Sequence, residues 1–214
     1  MGPAGEGIGA TFARWFVLPE LLDRPDGSIF CAADGGLRVI FTPTPLAGAY
    51  IIELEPFADE RGHFARTFCR TEFEAHGLNP FVAQCNLSFS RNRGILRGMH
   101  YQAPPLWEVK LVRCTRGSIY DVIIDLRRDS PTFKQHFGAE LSARNHRQMY
   151  VPEGFAHGFQ TLEDDSEVFY QMSQFYSPDH SRGVRWNDPA FGIQWPVADP
   201  IMIDRDRNYP DFAE

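Results

Sequence analysis

At 214 residues the chain suits one domain of roughly 165–200 residues with a small appendage. Its 43% hydrophobic and 23% charged content is that of a globular protein, and its 18 phenylalanines point to a large core or an aromatic-lined cavity. A net charge of −7 argues against nucleic acid and anionic membrane as partners, so an anionic ligand needs a locally basic pocket. No run approaches the ~18 apolar residues of a membrane span.

Residues 1–47 read as an N-terminal extension. They combine a short helix expected over 11–18, stopped by Pro19, with the turn-rich stretches RPDGS, ADGG and TPTP. The segment lacks the basic start of a signal peptide, and Arg14, Pro19 and Glu20 interrupt its apolar stretch, so a cytoplasmic location is expected. Cys31, Cys69, Cys85 and Cys114 lie far apart with no CxxC pair, which favours reduced thiols over disulfides or a zinc site.

From residue 48 to 214 short apolar or alternating runs recur: YIIELE, HFARTF, VKLVRCT, SIYDVIIDLR, FGAELSA, QMYVP, GFQTL and EVFYQMSQFY. Gly, Pro, Asn or Asp punctuate them about every 8–12 residues, the pattern of an all-β sandwich or barrel. One helix is expected over residues 70–76, with Thr71 as N-cap and Gly77 as stop. The tail from Pro200 reads as polar and irregular.

Residues 84–110, QCNLSFSRNRGILRGMHYQAPPLWEVK, hold the chemistry. They place His100 among Arg91, Arg93, Arg97 and Lys110. A base beside fixed positive charge is what removing a proton next to a carbonyl requires, because the cations hold the enolate that remains. The competing reading is a solvated histidine on an Arg-rich edge strand. Cys85 falls inside this segment without marks of a nucleophile, so a packing role is expected of it. A second motif, VPEGFAHGFQ (151–160), delivers His157 after a Pro-x-Gly turn. The two histidines together are similar to the cupin pattern, but a metal cupin offers His-x-His, whereas this chain has His100-Tyr101-Gln102 with Glu108 further on. Two histidines are too few for a transition metal, and Lys110 opposes a cation at Glu108, so no metal or other cofactor is expected.

The motifs DERGHFARTF, QCNLS, RGILRGMHYQ, EVKLVRCTRGSIYDVIIDLR, SPTF, VPEGFAHGF, YQMSQFYSP, RWNDPAFGIQWP and IMIDRDRNYP occur in order from residue 59 to 210. In them the chain resembles the dTDP-4-dehydrorhamnose 3,5-epimerases, cofactor-free, cupin-like jelly-roll enzymes of nucleotide-sugar metabolism. The resemblance implies His100 as general base, Asp206 as the carboxylate that orients and charges it, and Tyr170 as the acid on the opposite face of the ring. It implies Lys110 and Arg97 as substrate-binding cations able to polarise the 4-keto oxygen. Gln84, Asn86, Arg61 and His157 fall on binding positions, and Tyr176 in the aromatic lining. It also implies a homodimer with strand exchange.

The chain departs from the family pattern at contact positions. Arg66 stands for the expected glutamate, Cys85 for an acidic residue, Leu87 for a histidine, Ser181 for a glutamate and Arg205 for a lysine. Arg66 and Arg205 are therefore counted among the substrate-binding candidates, and the nucleotide and sugar stay open. The expected activity is epimerisation at carbons 3 and 5 of a nucleotide-diphospho-4-keto-6-deoxyhexose, most simply the dTDP-linked one. Alternatives are a CDP- or GDP-linked substrate, epimerisation at one carbon only, a non-catalytic sugar-nucleotide-binding cupin, or a metal-dependent cupin enzyme.

Overall fold

The computed structural model describes residues 38–213 throughout, together with the backbone of two short strands nearer the N-terminus. The chain divides into two compact units, Met1–Gly36 and Leu37–Glu214. In the first, β1 (Leu21–Asp23) and β2 (Ile29–Cys31) pair antiparallel. The helix expected over residues 11–18 lies outside the described residues. The second unit starts ahead of the expected boundary at residues 47 and 48. The reason is that β3 (Val39–Pro43) is already paired with β4 (Tyr50–Leu54) at the edge of a large sheet.

That unit is a jelly-roll sandwich of two antiparallel sheets. One runs β3, β4, β12 (Gln148–Val151), β9 (Lys110–Arg116), β14 (Ser166–Met172), β7 (Gln84–Ser90). The other runs β11 (His136–Ser142), β10 (Ser118–Asp125), β13 (Phe155–Thr161), β8 (Leu96–Gln102), β15 (Ser181–Gly183). A small antiparallel pair, β5 (Phe57–Asp59) and β6 (Gly62–Phe64), stands apart from both sheets.

The alternation of β10 shows how the sequence sets the layers. Ile119 and Ile123, both 0% exposed, point inward and join Val112, Met149 and Val168 of the six-stranded sheet in one core. Val122 and Ile124 point outward, where Val184, Phe191 and Ile193 of the C-terminal segment cover them. Each fully buried aliphatic side chain of this kind contributes about 1.5–3 kcal/mol. A strand apolar on both faces is thus explained by sheets covered on both sides.

Three local expectations change. Of HFARTF only His63 and Phe64 belong to a strand, because the chain then leaves β6 to pair Arg66 with the buried Glu72 and to offer the Thr67 carbonyl to Gln148 Nε2. Helix α1 (Arg70–Ala75) forms and Gly77 ends it at φ +70°, but its N-cap is Cys69, not Thr71, with no capping side chain. Phe73, 1% exposed, holds α1 on the outer face of the six-stranded sheet instead. The tail is not irregular: Ile201 bridges Ile95, and α2 (Asp204–Arg207) follows. Among the described residues no helix is long and apolar enough to cross a membrane.

Candidate active site

The site begins with an irregularity in β8. Facing β13, Phe159 pairs with Arg97 and His157 with His100, so two steps on β13 match three on β8. In a regular strand, positions three apart point to opposite faces. The extra residue of this bulge puts Arg97 and His100 on the same inner face. Gly98 makes it possible, with φ +144° and a backbone so close to Gly158 that an added Cβ would lie 2.6 Å from the Gly158 Cα.

Behind His100 stands Asp206, delivered by α2 and 2% exposed. His100 Nε2 meets Asp206 Oδ1 at 2.8 Å, and the Gly98 N–H donates to Asp206 Oδ2 at 3.3 Å. Arg205 Nε also donates to Oδ1, at 3.3 Å. Burial is the largest influence on the Asp206 carboxyl and pushes its pKa up. The His100 bond and charge, the Gly98 N–H and Arg205 together outweigh burial and hold the group below the usual carboxylate range. Asp206 is therefore an anion at neutral pH. It fixes the proton of neutral His100 on Nε2 and leaves Nδ1 as the basic nitrogen.

His157 repeats the arrangement: its Nε2 lies 2.8 Å from Asp121 Oδ2, with Asp121 fully buried. The sequence reading missed Asp121. The signal was there, a carboxylate on the inward, apolar row of β10 between Ile119 and Ile123. Each histidine turns Nε2 to its own aspartate, which leaves Nδ1 as the nitrogen open to a ligand or a cation. Among the described residues no group of three or more His, Cys, Asp or Glu is placed to hold one.

The facing wall comes from the six-stranded sheet. Lys110 opens β9, buried and paired with the buried Glu108. Tyr170 lies on β14, and its phenol is pushed up from the ordinary value, first by burial and then by the Glu108 charge, with Arg97 acting the other way. It therefore keeps its proton at neutral pH. Arg97 reaches across to Ser90 Oγ (3.3 Å) and the Phe89 carbonyl (3.1 Å).

His100, Asp206, Tyr170, Lys110, Arg97, His157, Tyr176 and Arg205 all line one cavity of about 310 Å³ between the sheets. EVFYQMSQFY is not a single strand: β14 ends at Met172, so Tyr170 and Tyr176 belong to different elements, and Tyr176 stands half-exposed at the mouth. Gln84 and Asn86 are not on the cavity wall. Gln84 Oε1 accepts the Tyr176 N–H at 2.9 Å, and Gln84 Nε2 donates to Asn86 Oδ1 at 3.4 Å, behind the mouth. Arg61 is exposed on the β5–β6 turn, tied to Asp59. Arg66 is held by Glu72 at 3.0 Å beside α1. Neither arginine reaches the cavity of this chain. Cys85 is exposed rather than part of the site.

Fold and site define a cupin-like jelly roll with a histidine backed by a buried aspartate on one wall of a cavity and a protonated phenol on the other. The sequence pattern of the dTDP-4-dehydrorhamnose 3,5-epimerase family matches residues 43–214. The dTDP-4-dehydrorhamnose 3,5-epimerase of Shigella flexneri is 44% identical over 179 residues, 83% of this chain and 97% of the relative. The crystal structure of the Bacillus anthracis dTDP-4-dehydrorhamnose 3,5-epimerase, with TDP and PPi bound, superposes with a TM-score of 0.79 at 44% identity, covering 82% of this chain and 100% of that one. A 3'-monoepimerase from Streptomyces bikiniensis, in complex with dTDP-quinovose, gives 0.73 at 35% identity, covering 79% and 86%. The chain belongs to the dTDP-4-dehydrorhamnose 3,5-epimerase family.

Proposed function

We propose that this protein is a cofactor-independent isomerase that epimerises dTDP-4-dehydro-6-deoxyglucose at carbons 3 and 5 to dTDP-4-dehydrorhamnose. One observation carries the reading: His100, backed by Asp206 of α2, and Tyr170 stand on facing sheets and line the same cavity. Carbons 3 and 5 both flank the keto group, so loss of a proton from either gives an enolate on the same oxygen. His100 Nδ1 takes the proton, and Asp206 stabilises the imidazolium that forms. Lys110, next to the keto oxygen, gains interaction energy as charge develops there, by about 3–4 kcal/mol for comparable oxyanion donors. Tyr170 returns a proton to the other face. A non-catalytic binding module has no use for a base, its carboxylate and an opposed acid together.

Arg97 and Arg205 serve the diphosphate, and Tyr176 offers a ring to the base at the mouth. Gln84, Asn86, Arg61 and Arg66 complete nucleotide recognition in a homodimer. The large exposed apolar rings Phe57 (69% exposed) and Phe64 (66%) of the β5–β6 pair that carries Arg61 support that assembly. Likeness to the monoepimerase, together with Arg66 at the glutamate position, keeps a second reading: the same chemistry at one carbon, or on a CDP- or GDP-linked sugar.

Incubation with dTDP-, CDP- and GDP-4-keto-6-deoxyglucose in deuterated water tests this. Deuterium is expected at carbons 3 and 5 of the dTDP sugar with inverted product, read by NMR. Incorporation at carbon 3 alone selects the second reading, and no exchange with any sugar refutes both.

A further inference from the structure

One group on the cavity wall has no task in that scheme. Lys110 and Glu108 are 8% and 7% exposed, and Lys110 Nζ donates to Glu108 Oε1. An ammonium has three donors and a carboxylate two acceptor oxygens. Among the described residues that single bond is all Lys110 Nζ makes, and Glu108 Oε2 is buried with no hydrogen-bond partner. Leaving a buried charged acceptor unsatisfied is costly, so a native fold supplies such a group with a partner. Both residues line the cavity together with Tyr170, whose phenol feels the Glu108 charge.

The pair therefore keeps spare cationic donors beside a carboxylate oxygen that no protein donor satisfies, on two residues that line the cavity. Its complement is a carbonyl next to a hydroxyl. A 4-keto-6-deoxyhexose carries that unit in one place only. Carbon 5 bears a methyl group and the ring oxygen, which has no proton to give, whereas carbon 3 bears a hydroxyl.

We infer that Glu108 is a specificity-determining residue: its Oε2 accepts the hydrogen bond of the carbon-3 hydroxyl while Lys110 donates to the keto oxygen at carbon 4. The inference rests on the epimerase reading and deepens it, by naming the α-hydroxyketone as the feature read. Paired recognition fixes the sugar in the plane of the two contacts. A hydrogen bond made to a buried charge is also the kind that discriminates strongly against an analogue lacking the hydroxyl, because the acceptor is then left unpaired.

The test compares two substrates within each of three proteins. The dTDP-4-keto-6-deoxy sugar and its 3-deoxy counterpart both keep the proton at carbon 5, so kcat/KM for deuterium exchange there is measurable for both. In the parent the 3-deoxy sugar is expected to be poorer by roughly tenfold to a hundredfold, the range for a hydrogen bond to a charged group. In Glu108→Leu the ratio should fall to about one, even though the absolute rate drops because Lys110 loses its partner. Glu108→Gln keeps an acceptor and should lie between. Taking the ratio inside each protein cancels damage to Lys110 or to the fold. Equal discrimination in the parent and in Glu108→Leu overturns the inference. A parent that exchanges the natural sugar without preferring it over the 3-deoxy one overturns the inference alone, while a parent that exchanges neither sugar overturns the epimerase reading with it.

Discussion

Replacing Asp206 by asparagine separates the shape of the dyad from its charge. The carboxylate is 2% exposed and sits 2.8 Å from His100 Nε2. When His100 takes a proton from the sugar, a full positive charge appears beside the carboxylate, with charge centres roughly 4 Å apart for a 2.8 Å contact. At an effective dielectric near 20 that attraction is worth about 4 kcal/mol, or about a thousandfold in rate. Asparagine also permits the other tautomer: its amide N–H can donate to Nε2, which moves the imidazole proton to Nδ1 and removes the base, a loss of order ten-thousandfold in a comparable His–Asp pair. Asp206→Asn should therefore slow deuterium exchange at carbons 3 and 5 by 10³ or more. The dissociation constant for dTDP, measured by calorimetry, should change by less than about threefold, because the lost charge acts on imidazolium rather than on nucleotide. The same change has a signature in stability. A carboxylate held below its ordinary pKa stabilises the fold above about pH 4, and that contribution disappears as pH falls through the lowered value. The variant lacks it at every pH, so its denaturant midpoint should depend less on pH than the parent's below about pH 4. Exchange within tenfold of the parent would refute the dyad as the source of the base.

Tyr170→Phe removes the acid and leaves the base. Deuterium should still enter the sugar with retained configuration, since His100 returns a proton to the face it came from, while inverted product falls by at least a hundredfold. Inversion at the parent rate, by NMR of recovered sugar, would assign the acid elsewhere. Gly98→Ala places a Cβ 2.6 Å from the Gly158 Cα at a φ of +144°, so β8 and β13 must separate or the bulge must shift. Stability should drop by about 2–4 kcal/mol in urea denaturation, and activity should be lost even at temperatures where the variant stays folded. A variant as stable and active as the parent would mean that the bulge does not need glycine.

The fold class was open to reading because it depends on local chemistry. Alternation in GSIYDVIIDLR, turn residues at short intervals and the absence of long helical periods leave little besides a β sandwich. Among the candidate site residues, His100 and Lys110 stand out within residues 84–110, whereas Tyr170 and Asp206 are named only through the resemblance of their motifs to the epimerase family. The sequence reading went astray where packing overrode a local pattern. HFARTF alternates like a strand, yet β6 ends at Phe64 and Arg66 turns to pair with Glu72 beside α1. EVFYQMSQFY reads as one strand, but Met172 is where β14 ends. Arg61 and Arg66 belong to motifs of the site without lining its cavity.

By itself the sequence determined which groups are present: histidines, tyrosines, cations, carboxylates, and a chain that must fold as two covered sheets. It could not determine which of them meet. Arg97 and His100 share a face only because β8 takes one residue more than β13 between two pairings. That bulge depends on Gly98 and Gly158 meeting from positions sixty residues apart. Asp206 reaches His100 across 106 residues because the Ile95–Ile201 bridge seats α2 behind β8. Asp121 meets His157 for the same kind of reason, through strand pairing. Each of these contacts is long-range, and its free energy depends on packing that no local window contains.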